Sequence, residues 1–259
     1  MESVRQIYDA ITRDGFADTT LRAINNYVND ILNGRTDFPR FTQPEHAGLC
    51  TAGAPLIGAS VIAGYATASF GAGGDVAGGE GGRPNRWQID QQQELLIEQW
   101  AKAAKIWVEN SEQIIIHNYG PMIAQGAEAK VYYREGDTSV IKERASIYST
   151  TQKALDAIAL HNYLFPETAM HVVGFTRDSD GLLRIILTQP YVRCLRLATK
   201  AEIDAMVMQM GFRDNGDGNG VNYISERLAL EDMHPANVFI DKVSEKAICI
   251  DCIVKFVFP

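Results

Sequence analysis

The feature that most constrains this chain is residues 230–251, LEDMHPANVFIDKVSEKAICID. This stretch contains Asp232, then Asn237 five residues later, then Asp251 at the end of an apolar run. An ATP-dependent phosphoryl-transfer site needs one carboxylate beside the acceptor hydroxyl, and an amide with a second carboxylate on Mg²⁺. The same residues taken singly fit an Asx-rich turn before a strand and a strand-end cap. The catalytic interpretation therefore predicts a phosphate-covering loop and a strand lysine earlier in the chain.

A loop of small residues and a lysine occur upstream in the expected order. The loop consists of Gln125, Gly126, Ala127, Glu128 and Ala129. Between two predicted strands, such residues let backbone N–H groups approach phosphate oxygens without obstruction. Lys142 ends the second strand of a predicted hairpin that turns at residues 135–137. A lysine in that position can neutralise the α- and β-phosphates of a nucleotide, although a solvated surface charge is the alternative.

The next helix is expected to supply an acidic partner for Lys142. It is predicted to open at Ser149, with Gln152 in the capping-box position, and to end near Pro166. Asp156 is the acid inside it and is therefore the candidate, with an exposed helical Asp as the alternative.

A connector follows a predicted hairpin over residues 172–188. It contains Gln189 and Tyr191, and its position makes its backbone the expected hydrogen-bonding edge for an adenine ring.

A helix capped by Thr199, with Glu202 in the capping-box position, comes next. The loop DNGDGNG over residues 214–220 matches some EF-hand ligand positions, but we interpret it as a polar turn rather than a calcium site.

The first 110 residues are predicted to be mostly helical and to carry no chemistry of their own. Helical periodicity is present over residues 2–12, 18–34, 54–67 and 90–110. Residues 37–43 contain Pro39 and are followed by Pro44, and they are predicted to be loop. The glycine-rich segment 71–83 is predicted to be a flexible linker or flap, since no Gly-Lys-Ser/Thr follows it. Short strands are then predicted at 113–117 and 121–125.

Composition limits the partners and the compartment. The net charge of −8 argues against a broad electrostatic surface for nucleic acid or anionic membrane. Four cysteines do not make a disulfide framework at this length, and no signal sequence is visible, so a cytoplasmic location is expected. Cys249 and Cys252 form a C-x-x-C without a second pair of zinc ligands nearby in sequence, and are predicted to be buried strand residues.

These segments resemble known phosphotransferases. QGAEAKVYY…VIK, over residues 125–142, resembles the nucleotide loop and lysine strand of RIO-type kinases and of the kinase in the KEOPS tRNA-modification complex. DMHPANVFID, over residues 232–241, resembles the catalytic loop of those kinases and of aminoglycoside-type phosphotransferases. The arrangement over residues 112–255 resembles the polyvalent protein kinase domains carried by bacterial mobile elements.

The resemblance implies an α+β, protein-kinase-like two-lobed fold. Residues 111–189 would form the first lobe and residues 190–259 a truncated second lobe, preceded by the helical region 1–110. The resemblance implies ATP and Mg²⁺ as cofactors. It assigns catalysis to Asp232 and Lys142, metal binding to Asn237 and Asp251, and phosphate covering to residues 126–129. Leu-Glu replaces the usual residues before Asp232, and Cys-Ile follows Asp251 instead of Phe-Gly.

The expected function is therefore ATP- and Mg²⁺-dependent phosphorylation of Ser or Thr on a protein. One alternative is an aminoglycoside-type small-molecule phosphotransferase, for which residues 214–217 are the candidate acidic cluster. The other is a catalytically weak nucleotide-binding module, which the departures from the family pattern favour. The acceptor is a hydroxyl of a protein or small molecule, and no nucleic-acid or membrane partner is expected. The helical region 1–110 is expected to supply packing and an acceptor surface.

Overall fold

The computed structural model describes residues 55–56, 58–60, 62–63, 86–126, 128–145, 150–226 and 228–257. The predictions for residues 2–12, 18–34, 37–43 and 71–83 lie outside these ranges. The chain divides into two compact units. The first comprises Met1–Tyr132, Lys142–Leu155 and His171–Leu187, and the second comprises Tyr133–Ile141, Asp156–Met170 and Thr188–Pro259.

Helices and antiparallel strands alternate along the described chain. The helices are α1 (Arg86–Ala103), α2 (Ser111–Tyr119), α3 (Thr151–Leu164) and α4 (Lys200–Gln209), with 3₁₀ turns at Pro166–Thr168 and Pro235–Asn237. The first strands are β1 (Met122–Gln125), β2 (Ala129–Tyr132), β3 (Ser139–Ala145), β4 (His171–Arg177), β5 (Leu183–Pro190) and β6 (Cys194–Leu197). The remaining strands are β7 (Arg213–Asp214), β8 (Tyr223–Ile224), β9 (Leu228–Glu231), β10 (Val238–Asp241), β11 (Ala247–Cys249) and β12 (Ile253–Phe256).

A five-stranded sheet of order β1-β2-β3-β5-β4 carries the predicted nucleotide loop and lysine. Its β4–β5 hairpin confirms the prediction for residues 172–188. The Asp178 carboxylate fixes the hairpin turn by accepting hydrogen bonds from the backbone N–H groups of Asp180 and Leu182. Helix α1 packs on β4 through Trp100, whose ring meets Phe175 edge-on at a centroid distance of 6.1 Å.

The predicted strand at residues 113–117 is wrong, because these residues lie in helix α2. The β-branched run of isoleucines favours a strand on local propensity. In the structure only Ile115 of that run is buried, while Ile114 and Ile116 are exposed. Gly120 then ends the helix with φ 95°, a conformation that glycine adopts without steric cost, and its N–H donates to the Ile116 carbonyl.

The second unit has its own core between α4, the end of α3 and two small sheets. The sheet orders are β11-β10-β6 and β12-β9-β8-β7. The fully buried members of this core include Ile203, Val207, Leu230, Met233 and Val238. Helix α4 begins at Thr199 with the predicted capping box, which is confirmed because Thr199 and Glu202 exchange side-chain and backbone hydrogen bonds.

Residues near position 58 pack against α1. The described positions of the predicted helix 54–67 are helical, and Leu56, Ala59 and Ile62 among them are buried. Gly58 approaches Trp100 so closely that a Cβ atom there would lie 2.4 Å from Trp100 Cζ2. This part of the N-terminal region therefore contributes to the core around α1. Within the described ranges, no helix is both long and apolar enough to cross a membrane.

Candidate active site

Asp232 lies directly after β9 in an unusual backbone conformation. Its φ is 64°, in the left-handed region that Asp and Asn tolerate better than most residues. Its backbone N–H donates to Asn222 Oδ1 at 3.2 Å, and the N–H of Met233 donates to the Val221 carbonyl. These two hydrogen bonds stabilise the bend at Asp232. The bend turns the Asp232 side chain out of the line of strand β9.

Asn237 holds Asp232 through its side-chain amide. Its Nδ2 atom lies 3.0 Å from the Asp232 carbonyl oxygen and 3.0 Å from Asp232 Oδ2. Both amide hydrogens can therefore be donated to one residue. The carbonyl oxygen is then the atom that Asn237 can offer to a cation. The five-residue spacing noted in the sequence allows this contact because the 3₁₀ turn Pro235–Asn237 folds the chain back.

His234 lies beside the same carboxylate. Its Nδ1 accepts from the Ala236 N–H at 3.2 Å, which places the proton of the neutral ring on Nε2. That Nε2 lies 3.4 Å from Asp232 Oδ1. The Asn237 Nδ2 atom also lies 3.2 Å from His234 Nε2, so the ring, the amide and the carboxylate contact one another. The bond from Ala236 makes His234 the cap of the 3₁₀ turn Pro235–Asn237.

Asp251 is brought to the same place by backbone pairing. The N–H of Ile250 donates to the Asn237 carbonyl at 2.9 Å, so the residue before Asp251 is bound to the other predicted metal ligand. Asp251 itself is half-buried, and its Oδ1 accepts from the Cys252 N–H at 3.0 Å. Asp232, Asn237 and Asp251, the three polar residues singled out in the 230–251 stretch, therefore all lie in the second unit.

The donor set fits Mg²⁺. The amide oxygen of Asn237 and the carboxylate of Asp251 are hard oxygen ligands, which Mg²⁺ prefers, and it commonly takes one or two such protein ligands beside water and phosphate. Because Asn237 Nδ2 donates to Asp232, the other atom of the amide, Oδ1, is the one that can bind a cation.

The predicted loop turns tightly before Lys142 in the first unit. The N–H of Gly126 donates to the Ala129 carbonyl at 2.9 Å, so this amide closes the turn. A Cβ atom at Gly126 would meet nothing within 4 Å, and its φ is not in the left-handed region. Among the described residues, neither packing nor backbone conformation requires glycine at this position. Ala127 lies outside the described residues.

Lys142 lies within β3, which continues to Ala145, and its side chain is only 5% exposed. Residues two apart on a strand point to the same face, so Lys142 and Arg144 share one face of the sheet. Arg144 contacts the Glu128 carboxylate at 3.1 Å, and the Ala145 N–H donates to the Glu128 carbonyl at 2.7 Å. The 126–129 turn is thereby anchored on the face that carries Lys142.

The connector was predicted to begin at Gln189, but Gln189 lies in strand β5 and Tyr191 follows that strand directly. Gln189 is buried, and its Nε2 donates to the carbonyls of Thr168 at 2.7 Å and Ile250 at 2.9 Å. Gln189 is therefore linked to the segment that carries Asp251. The Tyr191 N–H donates to the Thr138 carbonyl at 2.9 Å, so this amide is already bonded. Adenine binding along this edge stays a prediction.

Several supporting contacts were not visible in the sequence. Tyr191 stacks on Tyr133 at a centroid distance of 4.1 Å. The start of α3 is capped by Asp90 of α1, whose Oδ1 accepts from the N–H of Thr151 at 2.6 Å and from its hydroxyl at 2.9 Å. Ser149, the predicted start of this helix, lies outside the described residues, and the pairing of Asp156 with Lys142 stays a prediction.

The 214–220 loop is a hydrogen-bonded polar turn. Asp217 accepts from the side chain of Asn222, the backbone N–H of Asn219 and the side chain of Asn215. These bonds, the Asn222 bond first, lower the pKa of Asp217 from its ordinary 3.8 to about 2. The chain continues into strand β8 rather than into the second helix of an EF-hand.

Comparison with known proteins gives one family match. A protein-family model described as "Serine/Threonine/Tyrosine Kinase found in polyvalent proteins" matches residues 90–257, more than half of the chain. The matched segment begins within α1, a helix in the part of the chain that was predicted to be a separate N-terminal region. No curated protein matches the chain at a significant level.

Proposed function

Because the chain belongs to the family of serine/threonine/tyrosine kinases found in polyvalent proteins, we propose that it transfers the γ-phosphate of ATP, with Mg²⁺, to Ser or Thr on a protein. The observation that carries this proposal is the bonding of Asn237 to both the backbone and the carboxylate of Asp232. It is supported by the backbone bond from Ile250 to Asn237. Together these contacts order a base and two oxygen ligands.

In the proposed reaction Asp232 accepts the proton of the acceptor hydroxyl. The hydroxyl oxygen forms a bond to the γ-phosphorus, the bond from that phosphorus to the β–γ bridging oxygen breaks, and ADP departs. The hydrogen bond from Asn237 and the contact of His234 Nε2 at 3.4 Å keep the Asp232 carboxylate in one orientation. A positioned base of this kind contributes about 10²- to 10⁴-fold to the rate.

Asn237 and Asp251 would hold Mg²⁺, which supplies positive charge to the phosphates when bound. Lys142 would donate to the α- and β-phosphates, and the backbone of the 126–129 turn would cover them. The connector at Gln189 and Tyr191 would receive the adenine. The proposal includes a two-lobed kinase arrangement of the atypical, RIO- and KEOPS-like kind, with the domain limits expected from the sequence.

The aminoglycoside-type alternative has less support. It needs an acidic surface for a cationic substrate, and the 214–217 segment was the candidate. The carboxylate of Asp217 is already engaged by Asn215, Asn219 and Asn222, so it is committed to the loop itself. A protein hydroxyl is therefore the proposed acceptor, and neither nucleic acid nor membrane is a proposed partner.

The test is transfer of label from γ-³²P-ATP by the purified full-length chain. It should be measured with Mg²⁺ or EDTA, in the presence of a cell lysate or of an aminoglycoside. The proposal expects Mg²⁺-dependent label on protein, recovered as phosphoserine or phosphothreonine. Label on the aminoglycoside would instead establish the small-molecule reaction. Nucleotide binding without transfer to any acceptor would establish the catalytically weak module.

A further inference from the structure

Three buried side chains that can ligate a metal converge in the second unit. His161 on α3, Cys249 in β11 and Cys252 before β12 each place one ligand atom within 4.8 Å of the other two. His161 and Cys249 are 0% exposed and Cys252 is 2% exposed. In the sequence the C-x-x-C has no further ligands nearby, whereas the fold brings His161 to Cys252 across 91 residues. The expected burial of the two cysteines is confirmed, although Cys252 lies just before β12 rather than in a strand. His161 adds a third side chain that can ligate a metal.

We propose that these three residues bind a thiophilic divalent cation of the Zn²⁺ class. Ligand atoms at Zn²⁺ distances in a tetrahedral site lie about 3.3–3.8 Å from one another. His161 Nδ1 and Cys252 Sγ are already 3.5 Å apart. Cys249 and Cys252 are thiols rather than a disulfide. Binding would release the two thiol protons, and two thiolates with a divalent cation sum to zero charge, which makes burial tolerable.

The far nitrogen of His161 has the partner that a metal-ligating histidine needs. Its Nε2 lies 3.3 Å from the Thr168 carbonyl oxygen. A proton on Nε2 leaves the lone pair on Nδ1, the nitrogen beside Cys252 Sγ. Histidines that ligate metals commonly donate their other ring N–H to a backbone carbonyl, as the geometry here allows. Thr168 also donates its hydroxyl hydrogen to the Cys249 carbonyl at 2.6 Å, so the same residue supports two of the ligands.

The surroundings favour a soft cation over Mg²⁺ or Ca²⁺. Met233 Sδ lies 3.9 Å from Cys249 Sγ and is fully buried. Thiolate, thioether and imidazole groups select zinc-like ions, whereas the hard alkaline-earth cations require oxygen ligands. This site is therefore chemically distinct from the oxygen set of Asn237 and Asp251.

The proposed cation would stabilise the segments that carry the phosphotransfer residues. Cys249 and Cys252 stand on either side of Asp251, and Met233 follows Asp232 directly in the chain. A cation bound to the two cysteines and to α3 would hold the Asp251 turn against that helix. The site is thus structural, and its occupancy can be measured without any kinase assay.

The experiment uses the full-length chain, treated with a chelator and then titrated with Co²⁺ and Zn²⁺. We expect one equivalent of Co²⁺ to produce a thiolate-to-cobalt charge-transfer band, and Zn²⁺ to abolish it by displacement. Zn²⁺ should also raise the thermal midpoint in a concentration-dependent way, because it binds the folded chain in preference to the unfolded one. The cobalt band and the thermal midpoint are measured on the wild-type chain, so they test the proposal even if a variant fails to fold.

Variants then assign the ligands. Cys249→Ser and Cys252→Ser should each weaken Co²⁺ binding by about 100-fold or more, since losing even a residue that only hydrogen-bonds to a ligand costs about 10- to 100-fold in metal affinity. Cys194→Ser is the matched control, because Cys194 is exposed on β6, and it should leave the band unchanged. Absence of a thiolate band in the wild-type chain would overturn the proposal. A band of unchanged affinity in Cys249→Ser and Cys252→Ser would overturn it equally.

Discussion

The side-chain amide of Asn237 donates to Asp232 twice, to its main-chain carbonyl and to its carboxylate Oδ2, each at 3.0 Å. One residue thus supports the left-handed backbone of Asp232 and also orients its side chain. Because the nitrogen of Asn237 is engaged in this way, its oxygen is left for a cation. In the proposed site this contact would give the role of base to Asp232 and the role of metal ligand to Asn237.

Removing the charge of Lys142 is expected to weaken nucleotide binding. In Lys142→Met the apolar stem of the buried side chain is kept, so folding should be little affected while the contact to phosphate is lost. A hydrogen bond to a charged group contributes about 1.5–3 kcal/mol, which corresponds to about 10- to 100-fold in affinity. Calorimetric titration with an ATP analogue measures this loss. Lys153→Met, at an exposed position of α3, is the control, and equal affinities in the two variants would refute the assignment.

Replacing Asp251 is expected to change the dependence on Mg²⁺. Asp251→Asn keeps the oxygen that accepts from the Cys252 N–H but removes the negative charge. Nucleotide affinity in saturating Mg²⁺ should fall by about 10-fold or more, as for the loss of groups that support a metal. In EDTA the variant and wild type should bind alike. Asp180→Asn, in the exposed β4–β5 turn, controls for charge. A defect that persists in EDTA would count against metal binding by Asp251.

Gly58 and Gly126 are expected to differ in how the addition of a methyl group affects stability. In Gly58→Ala the new Cβ would lie 2.4 Å from the Trp100 ring, so overpacking should reduce the free energy of unfolding by about 1–3 kcal/mol. Gly126→Ala places its Cβ in open space and should leave the thermal midpoint unchanged. Thermal unfolding followed by circular dichroism distinguishes them. Unchanged stability in Gly58→Ala would show that the N-terminal region does not need this close packing.

Local signals in the sequence were sufficient for much of the fold. The capping box at Thr199 and Glu202 requires only residues three apart, and the β4–β5 hairpin follows from alternating apolar residues around a turn. The Asp232–Asn237 spacing likewise identifies residues that do meet, because a short 3₁₀ turn brings them together. The family match over residues 90–257 agrees with the kinase-like interpretation.

The remaining features depend on contacts that local patterns do not encode. The isoleucine run of α2 has strand propensity, but tertiary packing buries Ile115 alone and a helix results. The capping of α3 by Asp90 and the approach of His161 to Cys252 join residues 61 and 91 positions apart. Contacts between residues so far apart in sequence cannot be predicted from local patterns, because they form only when the core packs. The domain limit at residue 110, and the roles assigned to the site residues, stay predictions.

The most direct measurement of the central claim is the single-turnover rate of phosphate transfer by wild type and Asp232→Asn. Asparagine tolerates the left-handed backbone at this position and keeps the shape of the side chain, so only the proton-accepting carboxylate is lost. Transfer from γ-³²P-ATP in Mg²⁺ should slow by about 10²- to 10⁴-fold, while nucleotide affinity stays close to that of wild type. Equal transfer rates in the two proteins would contradict the assignment of Asp232 as the base.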